Sequence, residues 1–184
     1  MKSSHEYQDY PRHPTLIADH VLGPATAPII VLEYGCYCCP RETETFAAVR
    51  ALRRILTDQM AFVFRHFPLV ATYPTAFLAA EAAEAAAAQG CFWRMHKYLV
   101  EHACAYSRED LIHIAGELRL DAPALARDLD AHVHAERVRG HFHSGIESNV
   151  RQMPAVFVNG LRCRDEITVE GLRRMVEEAS ARAA

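Results

Sequence analysis

A run of apolar residues that ends in a cysteine-rich loop constrains the fold of this chain more than any other feature. Residues 29–32, Ile-Ile-Val-Leu, predict a short buried strand. The loop that follows holds three thiols, Cys36, Cys38 and Cys39, which are half of the cysteines in the chain. Pro40 then suits the first position of a helix, with Cys39 as its N-cap, and apolar spacing predicts that this helix reaches about residue 57.

The middle of the chain predicts a second strand followed by helices. Residues 60–67 alternate in polarity and are rich in aromatic and β-branched side chains, which is typical of a strand. Ser107 and Asp121 have the side chains and sequence context of helix N-caps. Helical patterns cover residues 75–89, 92–103 and 131–149.

The last part of the chain predicts a hairpin and a closing helix. Asn159-Gly160 lies between two apolar runs and is a strong signal for a two-residue hairpin turn. Thr168 is expected to open the final helix. We expect residues 1–13 to be flexible and residues 14–184 to form one domain, with a helical insertion over about 74–150.

Composition excludes several classes of function. About half of the 184 residues are apolar (51%), 23% are charged and the net charge is −3, so nothing favours binding to nucleic acid or to an anionic membrane. The polar start lacks the apolar core of a signal peptide, and no stretch approaches the roughly 18 apolar residues that span a bilayer. We therefore expect a cytoplasmic protein, in which cysteines are seldom structural disulfides.

The placement of Cys39 predicts a reactive thiol. The dipole and the unpaired N–H groups of a first helical turn favour the thiolate over the thiol. Cys36 and Cys39 have the C-x-x-C spacing of a redox pair, whereas a Cys38–Cys39 disulfide would be strained. Glu42, three residues after Cys39, is either a capping-box acid that bonds the Cys39 backbone N–H or an acid–base partner of the thiol. Both interpretations remain open at the level of sequence.

Several segments together resemble the DsbA-like proteins of the thioredoxin fold. The resemblance covers residue 14 to the end, and it implies an α/β thioredoxin-like fold with a helical insertion between the second strand and the C-terminal hairpin. The segments are residues 19–24, Asp-His-Val-Leu-Gly-Pro; 65–69, Arg-His-Phe-Pro-Leu; 92–96, Phe-Trp-Arg-Met-His; and 154–160, which begin with Pro and end with Asn-Gly.

The resemblance also implies roles for individual residues. The family's Cys-Pro-x-Cys motif falls on Cys39 and Pro40, but Glu42 stands where the second cysteine would be. Glu33 corresponds to an acid beneath the active site that is implied in proton transfer. Pro154 corresponds to a cis-proline that faces the reactive cysteine, so that Met153, Pro154 and Pro40 are expected to contact an extended substrate.

These observations lead to a thiol–disulfide oxidoreductase as the main functional hypothesis. Cys39 would be the nucleophile, and Cys36 or an external thiol such as glutathione, as co-substrate, would resolve the mixed disulfide. Partners would be protein or small-molecule thiols and disulfides, and no resident cofactor is expected.

Two alternatives remain from the sequence. Cys36, Cys38 and Cys39, with His66 or Glu42, would suit a soft metal ion, or the chain is a redox-inactive scaffold that acts by protein contact. The other histidines and cysteines are not expected to be functional. We expect solvated helix residues at His132, His134, His141 and His143, and packed or surface thiols at Cys91, Cys104 and Cys163.

Overall fold

In the part of the chain that the structure describes, three strands precede a long helical segment and two strands follow it. The computed structural model describes residues 19–102 and 105–183. The predicted flexible segment, the predicted domain start at residue 14 and Cys104 lie outside these ranges. The strands are β1 (His20–Leu22), β2 (Ile29–Gly35), β3 (Met60–His66), β4 (Ala155–Val158) and β5 (Leu161–Arg162). The helices are α1 (Glu42–Leu56), α2 (Ala76–Ala88), α3 (Phe92–Glu101), α4 (Arg108–Glu117), α5 (Ala122–Asp130), α6 (Ala135–Glu147) and α7 (Val169–Ala183).

The described residues form two compact units. The first contains residues 19–34, Glu44–Arg65 and 145–183, and the second contains Gly35–Thr43 and His66–Ser144. The strands form a five-stranded sheet in the order β1-β3-β2-β4-β5, in which β1 is antiparallel to β3 and β4 is antiparallel to β2 and β5. Every residue of β2, β3 and β4 is buried, which explains their nearly continuous apolar sequences.

A buried ion pair joins three strands of the first unit. Arg65 on β3 donates two hydrogen bonds to the carboxylate of Asp19, at 2.6 and 2.8 Å, just before β1. A third guanidinium N–H reaches the hydroxyl of Tyr34 on β2 at 3.1 Å. Because Asp19 and Arg65 are both buried, these paired bonds offset much of the cost of removing their charges from water.

Helices make up most of the second unit. The alanine-rich helix α2 is buried along most of its length and packs against α3, α4 and α5. Its buried residues include two carboxylates, Glu81 and Glu84, where small alanine side chains would suffice for packing. None of the helices in the described part of the chain combines the length and the apolar content needed to cross a membrane.

The predicted order of strand, helix, strand, helices, hairpin and helix is confirmed. Asn159 and Gly160 both have positive φ, as a two-residue hairpin turn requires. Ser107 forms a full capping box with Asp110, and Asp121 caps α5 through the N–H of Ala124. The sequence did not predict the three-residue strand β1, which is held by its pairing with β3.

The glycine after β1 supplies the first test of this architecture. Gly23 has φ of +122°, and a Cβ atom there would lie 2.5 Å from the carbonyl oxygen of Met60. We expect Gly23→Ala to lower the free energy of unfolding by about 1–3 kcal/mol because of backbone strain and this clash.

Urea denaturation of wild type and variant measures the effect. The matched control is Gly140→Ala on α6, where a Cβ meets no atom within 4 Å, and we expect a gain of about 0.5–1 kcal/mol. A Gly23→Ala protein as stable as the wild type would contradict the close approach.

Candidate functional site: a cysteine loop before a helix

The cysteine loop is a tight turn between β2 and α1, and it belongs to the second unit. The backbone N–H of Cys39 donates to the carbonyl of Cys36 at 2.8 Å, which closes a β-turn over residues 36–39. The next turn is closed by the N–H of Glu42, which donates to the carbonyl of Cys39 at 3.1 Å. Cys36 and Cys39 are therefore the first and last residues of one β-turn, and Cys39 is also the first residue of the next.

The start of α1 differs from the prediction. The helix begins at Glu42, so Pro40 is not its first residue, Cys39 is not its immediate N-cap and Glu42 is not its third residue. The Glu42 carboxylate accepts a hydrogen bond from the N–H of Cys36 at 3.2 Å, not from Cys39. The physical reason is that the Cys39 N–H already bonds the Cys36 carbonyl, so the capping acid reaches one turn further back.

All three thiols of the loop are buried, but to different degrees. Cys36 is 2% exposed, whereas Cys38 and Cys39 are each 7% exposed. The sulfur of Cys38 lies 3.8 Å from the hydroxyl of Thr75, which precedes α2. Cys36, Cys38, Cys39, Cys91 and Cys163 form no disulfide in the structure.

Burial sets the acidity of the most enclosed thiol. It raises the pKa of Cys36, because the thiolate loses water, and the nearby charges of Cys38 and Cys39 act in the same direction. Hydrogen bonds from the backbone at Leu69 and Cys38 act against this effect. Cys36 therefore needs a more alkaline solution than an ordinary thiol to become a nucleophile.

A tyrosine that sequence reasoning missed lies beside the loop. Partial burial raises the pKa of Tyr73, and the negative charges that thiolates at Cys39, Cys36 and Cys38 would carry add to this shift. The residue stands in the connection between β3 and α2, where the sequence gives no periodic signal. The only sequence signal for a role of Tyr73 is its position five residues after Pro68, in the loop that follows β3.

Aromatic rings surround the loop within the second unit. The hydroxyl of Tyr37 lies 3.1 Å from Nδ1 of His96 on α3, and both residues are buried. The ring of Tyr37 also meets the ring of His66 edge-on, with centroids 5.8 Å apart. The loop therefore packs against His66 and His96 through the ring of Tyr37.

His66 lies beside Glu84 and His141, whereas the sequence predicted it as a metal ligand together with the loop cysteines. Its Nε2 lies 2.8 Å from the Glu84 carboxylate, and its backbone N–H donates to Nδ1 of His141 at 3.3 Å. His141 was predicted to be solvated and is in fact buried, because α6 stacks its ring on that of His66 with centroids 5.4 Å apart. His132 and His143 are exposed, as predicted, and His134 is half-buried.

Three of the predicted site residues belong to the first unit. Glu33 is buried on β2 and pairs with Val156 of β4 across the sheet. Met153 is buried, and the Met153–Pro154 peptide bond is cis. Their predicted roles opposite Cys39, like the substrate contact predicted for Pro40, stay predictions.

In sequence, the chain is similar to one segment of several longer proteins. A family model described as Thioredoxin matches residues 15–178. Na(+)/H(+) antiporter NhaA 1 of Salinispora arenicola is 39% identical over 163 residues, which cover 89% of this chain and 25% of that protein. NhaA 1 of Mycolicibacterium vanbaalenii is 34% identical over 163 residues, 86% of this chain and 26% of that protein. The chain thus spans about a quarter of the length of these relatives.

Solved structures share the fold at low sequence identity. BdbD from Bacillus subtilis, in its oxidised form, matches with a TM-score of 0.81 and 21% identity, over 91% of this chain and 95% of that one. A thioredoxin-like oxidoreductase from Silicibacter pomeroyi gives 0.77 and 24%, over 91% and 94%. The catalytic domain of ScsC from Proteus mirabilis gives 0.78 and 12%, over 92% and 93%.

The hydrogen bond between Glu42 and Cys36 can be tested by mutation. We expect Glu42→Ala to lower the free energy of unfolding by about 1–3 kcal/mol, because the buried Cys36 N–H loses its acceptor. Glu42→Gln keeps an acceptor oxygen and should lose less. Urea denaturation measures both variants, with Glu44→Ala on the exposed side of α1 as the control. An equal loss in the Ala and Gln variants would contradict the acceptor role.

The acidity of Cys36 predicts a pH dependence. In a protein with Cys38→Ser and Cys39→Ser, alkylation of Cys36 by iodoacetamide should rise at a higher pH than alkylation of the same residue in urea. The direction follows because burial raises the Cys36 pKa, and only the thiolate reacts. Peptide mass spectrometry measures the two rate profiles. Coincident folded and unfolded profiles would show that burial does not control this thiol.

Proposed function

Because the chain belongs to the thioredoxin family and has a DsbA-like fold, we propose that it is a thiol–disulfide oxidoreductase in which Cys39 attacks and Cys36 resolves. The fold and the family rest on the match over residues 15–178 and on the solved relatives. The identity of the two reacting thiols is the proposal, and it rests on the geometry of the loop.

The single observation that carries the proposal is the β-turn from Cys36 to Cys39. Its closing hydrogen bond is 2.8 Å long. The Cα atoms at the ends of a β-turn lie less than about 7 Å apart. Disulfides span Cα separations of about 4.4–6.8 Å, so the turn suits a Cys36–Cys39 bond without a second cysteine at position 42.

Differences in burial support a division of labour between the thiols. Cys39 is more exposed than Cys36, and burial raises the pKa of Cys36. A thiol that is enclosed and weakly acidic is a poor first nucleophile for an external disulfide, but it remains able to attack a neighbouring sulfur. Cys38 is as exposed as Cys39, but its sulfur lies against the Thr75 hydroxyl at 3.8 Å.

The proposed reaction proceeds through a mixed disulfide. The Cys39 thiolate attacks one sulfur of a substrate disulfide, bonds to it and expels the other substrate sulfur as a thiolate. The Cys36 thiolate then attacks the sulfur of Cys39, which forms the Cys36–Cys39 disulfide and expels the second substrate thiolate. Two electrons pass to the substrate, and the reverse sequence oxidises a dithiol. In a variant of this scheme glutathione, as an external thiol, replaces Cys36 in the second step.

The remaining site residues take supporting roles in this proposal. The buried acids Glu42 and Glu33 are candidates for moving a proton to or from a departing thiolate, and Glu42 also holds the Cys36 backbone. Met153, Pro154 and Pro40 are proposed to contact an extended protein substrate. The proposed partners are protein or small-molecule thiols and disulfides, and the proposed compartment is the cytosol, on the composition of the sequence.

The soft-metal alternative requires the loop to rearrange. Among residues 19–102 and 105–183, the donors that lie within 4.8 Å of one another in a group of three are His66, Glu84 and His141, and the three loop thiols are not such a group. The second alternative, a redox-inactive scaffold, predicts that Cys39 does not respond to redox buffers. Both alternatives are outcomes of the experiment below.

Thiol trapping in graded glutathione buffers tests the proposal. We expect peptide mass spectrometry to find a reversible Cys36–Cys39 disulfide in the wild type and a glutathione adduct on Cys39 in Cys36→Ser. Cys39→Ser should lose most rapid alkylation, whereas Cys36→Ser should lose only disulfide closure.

A cysteine outside the loop provides the control. Cys163→Ser removes a thiol of the first unit and should leave the loop chemistry unchanged. An unmodified Cys39 across all buffers would overturn the oxidoreductase proposal. Equal loss of alkylation in the Cys36 and Cys39 variants would overturn the division of labour.

A further inference from the structure

We infer that His66, Glu84 and His141 form a binding site for a divalent cation of the zinc type, separate from the cysteine loop. The three residues are buried, and their potential ligand atoms all lie within 4.8 Å of one another. They come from three different elements, the end of β3, α2 and α6, which fold together within the second unit. The inference does not depend on the proposed redox function.

The donors lie near enough to one another for a local rearrangement to bring them around one ion. Two donors on one tetrahedral zinc ion lie about 3.3 Å apart, because bonds from zinc to nitrogen and oxygen are about 2.0–2.2 Å long. Nε2 of His66 and the nearer Glu84 oxygen are 2.8 Å apart. The longest separation in the cluster needs to shorten by no more than about 1.5 Å to reach the same value.

The hydrogen bond that His141 accepts leaves its Nδ1 unprotonated and only weakly held. Its Nδ1 accepts a hydrogen bond from the His66 backbone at 3.3 Å, so this nitrogen carries no proton. A long hydrogen bond of this kind is a weak competitor for a cation. The stacked arrangement of the two imidazoles, with 26° between their planes, keeps both rings beside the Glu84 carboxylate.

The donor set identifies the class of cation. Two imidazoles and one carboxylate are the ligands of many three-residue zinc sites, which leave a fourth position for water. Ca²⁺ and Mg²⁺ prefer oxygen ligands, so a set with two imidazoles should bind them weakly. Cu(I) prefers sulfur ligands, and this set has none. Zn²⁺ and its spectroscopic substitute Co²⁺ are therefore the appropriate probes.

Arg137 is the natural competitor of the cation. Its Nε lies 2.8 Å from the second oxygen of Glu84, and its side chain is 35% exposed. A dication and a guanidinium on one carboxylate repel each other, so metal binding should displace Arg137 toward the solvent that it already touches. Removal of the Arg137 guanidinium should therefore raise the affinity of the site for the metal ion, and a mutation can test this direction.

The test uses the full 184-residue chain with Cys36→Ser, Cys38→Ser and Cys39→Ser, so that the loop cannot bind metal. Titration with Co²⁺ should give d–d absorption without a thiolate-to-cobalt charge-transfer band, and competition with Zn²⁺ gives the affinity. In this background we expect Glu84→Gln and His141→Asn to weaken binding at least tenfold, and Arg137→Gln to strengthen it. His143→Asn, at an exposed histidine on the same helix as His141, is the matched control and should leave cobalt binding unchanged.

Each outcome decides the inference. Binding that depends on Glu84 and His141 and is strengthened by Arg137→Gln supports it. The inference is overturned if the cysteine-substituted chain binds no cobalt. It is also overturned if the Glu84→Gln and His141→Asn variants bind cobalt as tightly as that parent chain. Circular dichroism and a urea midpoint establish that each variant is folded, and Arg137→Gln alters a half-exposed side chain, so it remains informative if a buried substitution prevents folding.

Discussion

The hydrogen bond from the Cys39 N–H to the Cys36 carbonyl determines most of what the cysteine loop can do. By closing the turn at 2.8 Å, it brings the backbones of Cys36 and Cys39 close together and uses the N–H that a standard capping box would have taken. Glu42 then bonds Cys36 instead, and α1 begins later than the sequence suggested. One backbone contact thus controls the spacing of the thiols, the start of the helix and the position of a buried carboxylate.

Local features of this fold could be predicted from sequence, because they depend on neighbouring residues. The Asn159-Gly160 turn follows from the ease with which these residues adopt positive φ, and the Ser107 and Asp121 caps need only N–H groups three residues away. The strand β1 was missed because three residues carry too little pattern. Its position depends on β3 and on the Asp19–Arg65 ion pair, whose partners are 46 residues apart.

The candidate site shows the same division between local and distant causes. Cys36, Cys39 and Glu42 could be identified because they are close in sequence and chemically unusual. His141 could not, since spacing along its own helix says nothing about a stacking partner 75 residues earlier. A signal did exist for Glu84, because a carboxylate in an alanine-rich helix that is otherwise buried requires a partner to compensate its charge.

The Glu84 carboxylate lies between an enclosed imidazole and a guanidinium that reaches solvent, and this asymmetry has a consequence for ionic strength. Dissolved ions screen charges over about 8 Å at physiological salt, but only where water can enter. Salt therefore weakens the Glu84–Arg137 pair on the solvent side and leaves the Glu84–His66 contact almost unchanged. As salt concentration rises, the attraction of Arg137 for Glu84 weakens relative to the His66 contact, so the carboxylate is held increasingly by the buried ring beside the cysteine loop.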